Sequence, residues 1–190
     1  ELTSQRFFDR VYEARGIELE ASLQASPQFR LRTNASFSSN RISEWTQFYD
    51  VYDADGNWSG STPETYRGVE PLLTPPVIVN QAVEYTPSST FSAGLIARYV
   101  SRGFLDNTNS EAFVTPSFVT LEGNVSLSLS RFMKRGDPRL SIQVNNILNN
   151  ERVFPSGYSY LYLSEGEKAG TAYYYPQATR HVVVMLDFRL

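Results

Sequence analysis

Alternation with a period of two is the strongest signal along the chain. Between residues 118 and 130, Val119, Leu121, Val125, Leu127 and Leu129 fall on one face of an extended segment, and Thr120, Glu122, Asn124, Ser126, Ser128 and Ser130 fall on the other. The same pattern runs through the last residues, where Val182, Val184, Leu186, Phe188 and Leu190 oppose Val183, Met185, Asp187 and Arg189. Near the start, Ile17, Leu19, Ala21 and Leu23 alternate with Glu18, Glu20, Ser22 and Gln24. After a Ser26-Pro27-Gln28 turn, Phe29, Leu31, Ala35 and Phe37 alternate with Arg30, Arg32, Asn34 and Ser36. These two segments predict a hairpin whose polar faces set Glu18 and Glu20 near Arg30 and Arg32. With further strands predicted over 77–85, 91–102 and 140–145, the chain is all-β, with about seven antiparallel strands.

The connections alternate between short and long. Tight turns lie near residues 27, 87 and 136, and long polar or aromatic loops near 40–76, 103–116 and 149–177. Segregation of loop lengths to opposite rims is the habit of an up-and-down transmembrane β-barrel, whereas a sandwich has no physical reason for it. Because single-chain bacterial barrels generally have an even number of strands, residues 1–190 are expected to be the C-terminal portion of a larger barrel. The competing reading is a soluble or surface-displayed β-sandwich that binds carbohydrate.

Composition narrows the functions. Seventeen Lys and Arg stand against twenty Asp and Glu, a formal charge of -3, so no nucleic-acid partner is expected. The absence of cysteine removes disulfides, thiolate metal sites and a Cys nucleophile. Mean hydropathy is slightly negative and no apolar run approaches the roughly 20 residues of a membrane-spanning helix, which leaves a barrel open. Aromatic residues make up 14%, including 12 Tyr and 12 Phe, a stock suited to the interfacial girdles of a barrel. The opening residues, Glu1-Leu2-Thr3-Ser4-Gln5-Arg6, lack the pattern of a signal peptide, and an internal piece of a longer protein is the expectation.

Candidate chemistry is sparse. His181, the sole histidine, sits at the start of the last strand, and no Gly-x-Ser-x-Gly elbow accompanies the serines, so neither an enzyme nor a cofactor is expected. Asp53, Asp55 and Asn57 offer oxygens at alternate positions, as a cation loop would, but Asp-Gly between aromatic flanks is more simply the tip of a small hairpin, and that is the expectation. The long loops carry the better candidates. Trp45, Phe48, Tyr49, Tyr52, Trp58 and Tyr66 in the first, and Tyr158, Tyr160, Tyr162, Tyr173, Tyr174 and Tyr175 in the last, combine flat apolar faces with polar tips. They suit capture of an amphipathic ligand or, as the alternative, an aromatic belt with packing of loop on loop; for Tyr158, Tyr160 and Tyr162, which share one face of an extended segment, a belt or a strand extension is the expectation.

Three segments carry a family resemblance. Arg15-Gly16-Ile17-Glu18-Leu19-Glu20, then Val144-Asn145-Asn146-Ile147-Leu148-Asn149-Asn150, then Pro176-Gln177-Ala178-Thr179-Arg180 before a final strand with Phe188, resemble the C-terminal signatures of TonB-dependent outer-membrane receptors. Ile147-Leu148 stands where the family has Leu-Phe, the glycine of its Pro-Gly-Arg segment is absent, and Leu190 stands where Phe or Trp is usual. The resemblance implies the last third of a 22-stranded barrel in the outer membrane of a Gram-negative-type bacterium, with three extracellular loops, serving uptake of a nutrient ligand. It implies as partners the membrane lipid, the missing strands and plug, TonB through an absent N-terminal part, and the barrel-assembly machinery, for which Phe188 and Leu190 are the expected signal.

Overall fold

The computed structural model describes residues 12–132 and 137–188 and contains no helix among them. Its strands are β1 (Tyr12–Gln24), β2 (Phe29–Tyr52), β3 (Trp58–Val69), β4 (Val77–Ser88), β5 (Phe91–Val100), β6 (Gly103–Phe104), β7 (Val114–Thr115), β8 (Phe118–Ser128), β9 (Arg139–Asn145), β10 (Ser156–Ser164), β11 (Glu167–Tyr175) and β12 (His181–Asp187). Ten of them form one sheet, and β6 and β7 pair separately. Within that sheet β1, β2, β4, β5, β8, β9 and β12 pair antiparallel in that order, each with its neighbour, to make a wall.

Register across the wall keeps like with like. One row reads Leu23, Leu31, Val83, Leu95, Gly123, Val144 and Val182 from β1 to β12, and another reads Leu19, Ala35, Val79, Tyr99 and Val119. A one-residue slip anywhere would turn a strand's apolar set to the other face, so the alternation in the sequence fixes the register. On β8 the burial is inverted with respect to a soluble protein: Val119 and Val125 are each 42% exposed, whereas Thr120 and Ser126 on the opposite face are 3% and 8% exposed. Leu19, Leu95, Ile142, Val182, Val184 and Leu186 are exposed on the same apolar face. A small buried cluster, Val100, Phe118 and Val153 with Ile78 against it, sits on the polar side near the long-loop rim.

The sequence-based strand count of about seven needs correction. Twelve strands are described because all three of the expected loops contain strands: β2 continues to Tyr52 and turns back as β3, residues 103–116 contain the short pair β6 and β7, and residues 149–177 contain β10 and β11. Polar and Pro-containing sequence hid the first, since Pro63 lies within β3, which among the described residues pairs only with β2 and so tolerates a missing donor. Nor is every pairing antiparallel. Tyr162, Leu163 and Ser164 pair in parallel with Asp50, Val51 and Tyr52.

Arg30 and Arg32 also choose partners other than Glu18 and Glu20. In the β1–β2 register Glu20 lies opposite Asn34 and Glu18 opposite Ser36, whereas β4 sets Glu84 directly opposite Arg30. Both arginines accordingly pair with Glu84, Arg30 at 4.0 Å and Arg32 in closer contact. Of the expected assembly residues, Phe188 is exposed and Leu190 lies outside the described residues.

The Asn145–Asn150 segment turns the chain out of the wall. Asn146 and Asn149 adopt positive φ of 49° and 51°, a conformation asparagine tolerates better than branched residues. Asn146 is fully buried; its amide donates to the carbonyls of Asn150 (2.9 Å) and Ala178 (3.3 Å), and its Oδ1 accepts from the Asn150 N–H (3.0 Å). Asn149 Oδ1 accepts from the Arg180 N–H at 3.1 Å, so the turn also anchors the approach to β12.

Candidate ligand-binding rim

Above the wall, β2 and β3 form a hairpin that ends at residues 53–57. Asp53 Oδ1 accepts the backbone N–H of Asp55 (3.0 Å) and of Asn57 (2.8 Å), and Gly56, at φ 78°, donates to the Asp53 carbonyl at 3.0 Å. These bonds, that from the Asn57 N–H foremost, hold the Asp53 carboxyl below the usual carboxylate range. The Asp53, Asp55 and Asn57 set is thus a hairpin tip in which the Asp53 carboxylate caps its own turn. Among the described residues no group of three or more His, Cys, Asp or Glu is placed to hold a metal ion.

The β10–β11 hairpin docks beside this one through the parallel rung. Gly170 of β11 has no room for a side chain, because a Cβ there would come within 2.6 Å of the Tyr160 carbonyl and 2.9 Å of the Phe113 ring. One face of the joined hairpins is packed. Tyr49, 1% exposed, shares a 2.6 Å hydroxyl contact with Tyr66, and Lys168 reaches across from β11 to Glu64 (2.7 Å) and to the Tyr66 hydroxyl (2.9 Å). The Lys168 ammonium also lies over the Tyr49 and Tyr66 rings, 5.5 and 5.4 Å from their centroids. Burial, reinforced by the contact with Tyr66, pushes the Tyr49 hydroxyl far above its ordinary pKa, and the bond from Lys168 holds Glu64 low. Residues 105–113 pack here as well: Asp106 accepts from Ser159 at 3.3 Å, and Tyr174 donates to the Val114 carbonyl at 3.1 Å.

The opposite face is open and carries a row of tyrosines. Tyr158, Tyr160 and Tyr162 alternate along β10, and Tyr173 and Tyr175 join them from β11. Tyr158 stacks on Tyr173 at 4.9 Å, Tyr160 on Tyr162 at 5.6 Å, and Tyr52 meets Tyr162 edge-on at 5.6 Å. Asp50 anchors the row. Its carboxylate accepts from the Tyr160 hydroxyl (3.1 Å) and from Trp58 Nε1 (3.2 Å). With its proton committed to Asp50, Tyr160 accepts from Tyr52 at 3.1 Å. The bond with Tyr52, then burial and Asp50, drive the Tyr160 hydroxyl well above the normal tyrosine value.

The loop aromatics singled out in the sequence therefore divide into two sets. Tyr52, Trp58, Tyr173 and Tyr175 lie on the open face, whereas Tyr49, Tyr66 and Tyr174 belong to the packed one, where Trp45 lies opposite Tyr66 and donates to Gln47 at 3.2 Å. Strand alternation separates Tyr174 from its two neighbours. Sequence reasoning missed Asp50, which carries no motif and is recruited by Tyr160 from 110 residues away. His181 is held at the base of β12, its Nδ1 2.9 Å from the Thr179 carbonyl and its Nε2 3.0 Å from the Asn145 amide.

No family model and no curated protein matches the sequence. Solved structures do match. The siderophore receptor PiuA from Acinetobacter baumannii aligns over 94% of this chain with a TM-score of 0.68 at 14% identity. This is the fold of a TonB-dependent receptor barrel. The ferric-catecholate import receptor Fiu from E. coli K12 in its open form (TM-score 0.49, 10% identity, 93% of this chain) and the ferric citrate transporter FecA in its unliganded form (0.46, 14%, 91%) are more distant. The chain spans 22% of the length of the PiuA structure, 26% of Fiu and 30% of FecA.

Proposed function

We propose that the chain is a section of wall and rim from a TonB-dependent receptor of the outer membrane, and that the full protein takes up a nutrient ligand. The observation that carries this reading is the exposed apolar face of the wall: Leu19, Leu95, Val125, Ile142 and Val184 are exposed on β1, β5, β8, β9 and β12, while on β8 Thr120 and Ser126 are covered on the other face. Such a face is stable against hydrocarbon and costly against water. A sandwich would have to cover it with a second sheet; the other sheet among the described residues is the two-residue pair β6–β7. The work of this section is binding and enclosure, without bond-making chemistry. A plug, TonB and the remaining strands of a barrel of about 22, typical of such receptors, belong to the full protein in this reading, and the polar face lines its interior.

Site-directed labelling of the full-length protein in lipid vesicles tests the proposal. Cysteine at Val125 should be shielded from a charged maleimide and quench with lipid-borne labels, while cysteine at Asn124 should react with the charged reagent. Equal reactivity at the two neighbours would refute a lipid-facing wall.

A further inference from the structure

Strand alternation relates the tyrosine row to the inside of the wall. β2 runs as one strand from Phe29 to Tyr52, and its polar positions Arg30, Arg32 and Asn34 share a face with Asp50 and Tyr52. Tyr162 pairs with Asp50, so the β10 tyrosines join that same face. The row therefore continues the polar, interior side of the sheet upward and does not extend the apolar side as a membrane belt would.

Its chemistry is specific. Tyr158, Tyr160, Tyr173, Tyr175 and Trp58 are all exposed, Trp58 at 63%, and present flat apolar rings with polar tips. The fixed charge among them is the Asp50 carboxylate, held by two donors with lone pairs to spare. The sole cation of β10 and β11, Lys168, is turned to the other face and engaged by Glu64, while Arg67 of β3 is paired with Glu44 at 3.5 Å. An anionic ligand would meet a carboxylate and no free cation on this row. A ring with C–H faces to stack and hydroxyls to donate meets complementary groups.

We propose that the Tyr160–Asp50–Trp58 row is a binding site for a neutral oligosaccharide. Sugar rings stack on Trp58 and the β10–β11 tyrosines, and a sugar hydroxyl donates to Asp50. This inference rests on the receptor reading, which places the row on the vestibule.

The full-length receptor, reconstituted in vesicles, should be titrated with malto-, xylo- and cello-oligosaccharides, and in parallel with ferric citrate, a ferric tricatecholate and choline. Insertion and resistance to heat in the same preparation report on the wall alone. The expected result is saturable binding of at least one of the oligosaccharide series, with tryptophan fluorescence changed through Trp58. Tyr160→Ala and Asp50→Asn should each weaken it at least tenfold, and Tyr174→Phe, on the packed face, should leave it unchanged. A receptor that inserts normally but binds only the ferric chelates or choline, or none of the probes, overturns the glycan site and leaves the receptor reading standing. Failure to insert overturns the receptor reading itself.

Discussion

Thr33 donates from its hydroxyl to the Gln81 side-chain carbonyl at 2.6 Å, in the middle of the otherwise apolar face. The Gln81 amide in turn donates to the backbone carbonyls of Arg32 and Ala82, both at 3.1 Å, so the pair is internally satisfied, as the proposed lipid-facing wall requires. Removing one member is costly and removing both is not. Thr33→Val should lower the stability of the full-length protein in vesicles by about 1 to 3 kcal/mol, the usual penalty for an orphaned buried polar group. The double variant Thr33→Val/Gln81→Leu should recover most of that loss in the same urea titration.

Charge placement should discriminate the two faces of the wall. Leu95→Arg puts a guanidinium on the apolar side and should cost roughly 2 to 4 kcal/mol near the bilayer midplane. Asn124→Arg, on the polar side of the neighbouring strand, should cost much less. Equal costs in reversible unfolding from lipid would contradict the facing.

The strands that build this wall were legible because apolar and polar residues alternate over most of each; β8 is the clearest, with Val119, Val125 and Leu127 exposed on the apolar face and Thr120 and Ser126 covered on the polar one. The first hairpin of the rim was legible only at its tip, where Asp55-Gly56 between aromatic flanks marks a hairpin. Ser, Thr, Asp, Gly and Pro over 53–64 read as loop, yet those residues pair because β2 continues beyond β1 and offers them an edge. Tyrosines at alternate positions of 158–162 announced a strand, but nothing local announces that Asp50 and Tyr52 will meet it, since that partner is chosen by tertiary docking.

Acid should loosen the rim. Glu64 is held below its ordinary value by Lys168, so the stability this pair supplies is fully present above about 4.5 and is lost as pH falls through the lower, folded-state value. Because the Glu64 side chain is 42% exposed, solvent discounts the contribution. Protease cleavage within residues 164–168 should rise as pH drops below about 4.5 in the native protein, and Glu64→Gln should flatten that dependence. An unchanged profile in the variant would remove Glu64 as the titrating group.

The two faces of β11 should separate by mutation. Tyr174→Ala deletes the bond to the Val114 carbonyl and the ring contact with Phe154 at 5.0 Å, and should make the rim protease-sensitive. Tyr173→Ala with Tyr175→Ala should leave protease resistance as it is. If all three behave alike, alternation along β11 does not govern their roles.

The parallel rung between Tyr162–Ser164 and Asp50–Tyr52 closes a loop more than a hundred residues long, whereas each wall strand closes onto the next wall strand along the chain over a much shorter separation. Contacts that join distant parts of a chain form late, because the entropy of closure must be met before they contribute. The rim is consequently the slow part of folding, and Asp50 and Trp58 are brought to Tyr160 only once the intervening strands are in place.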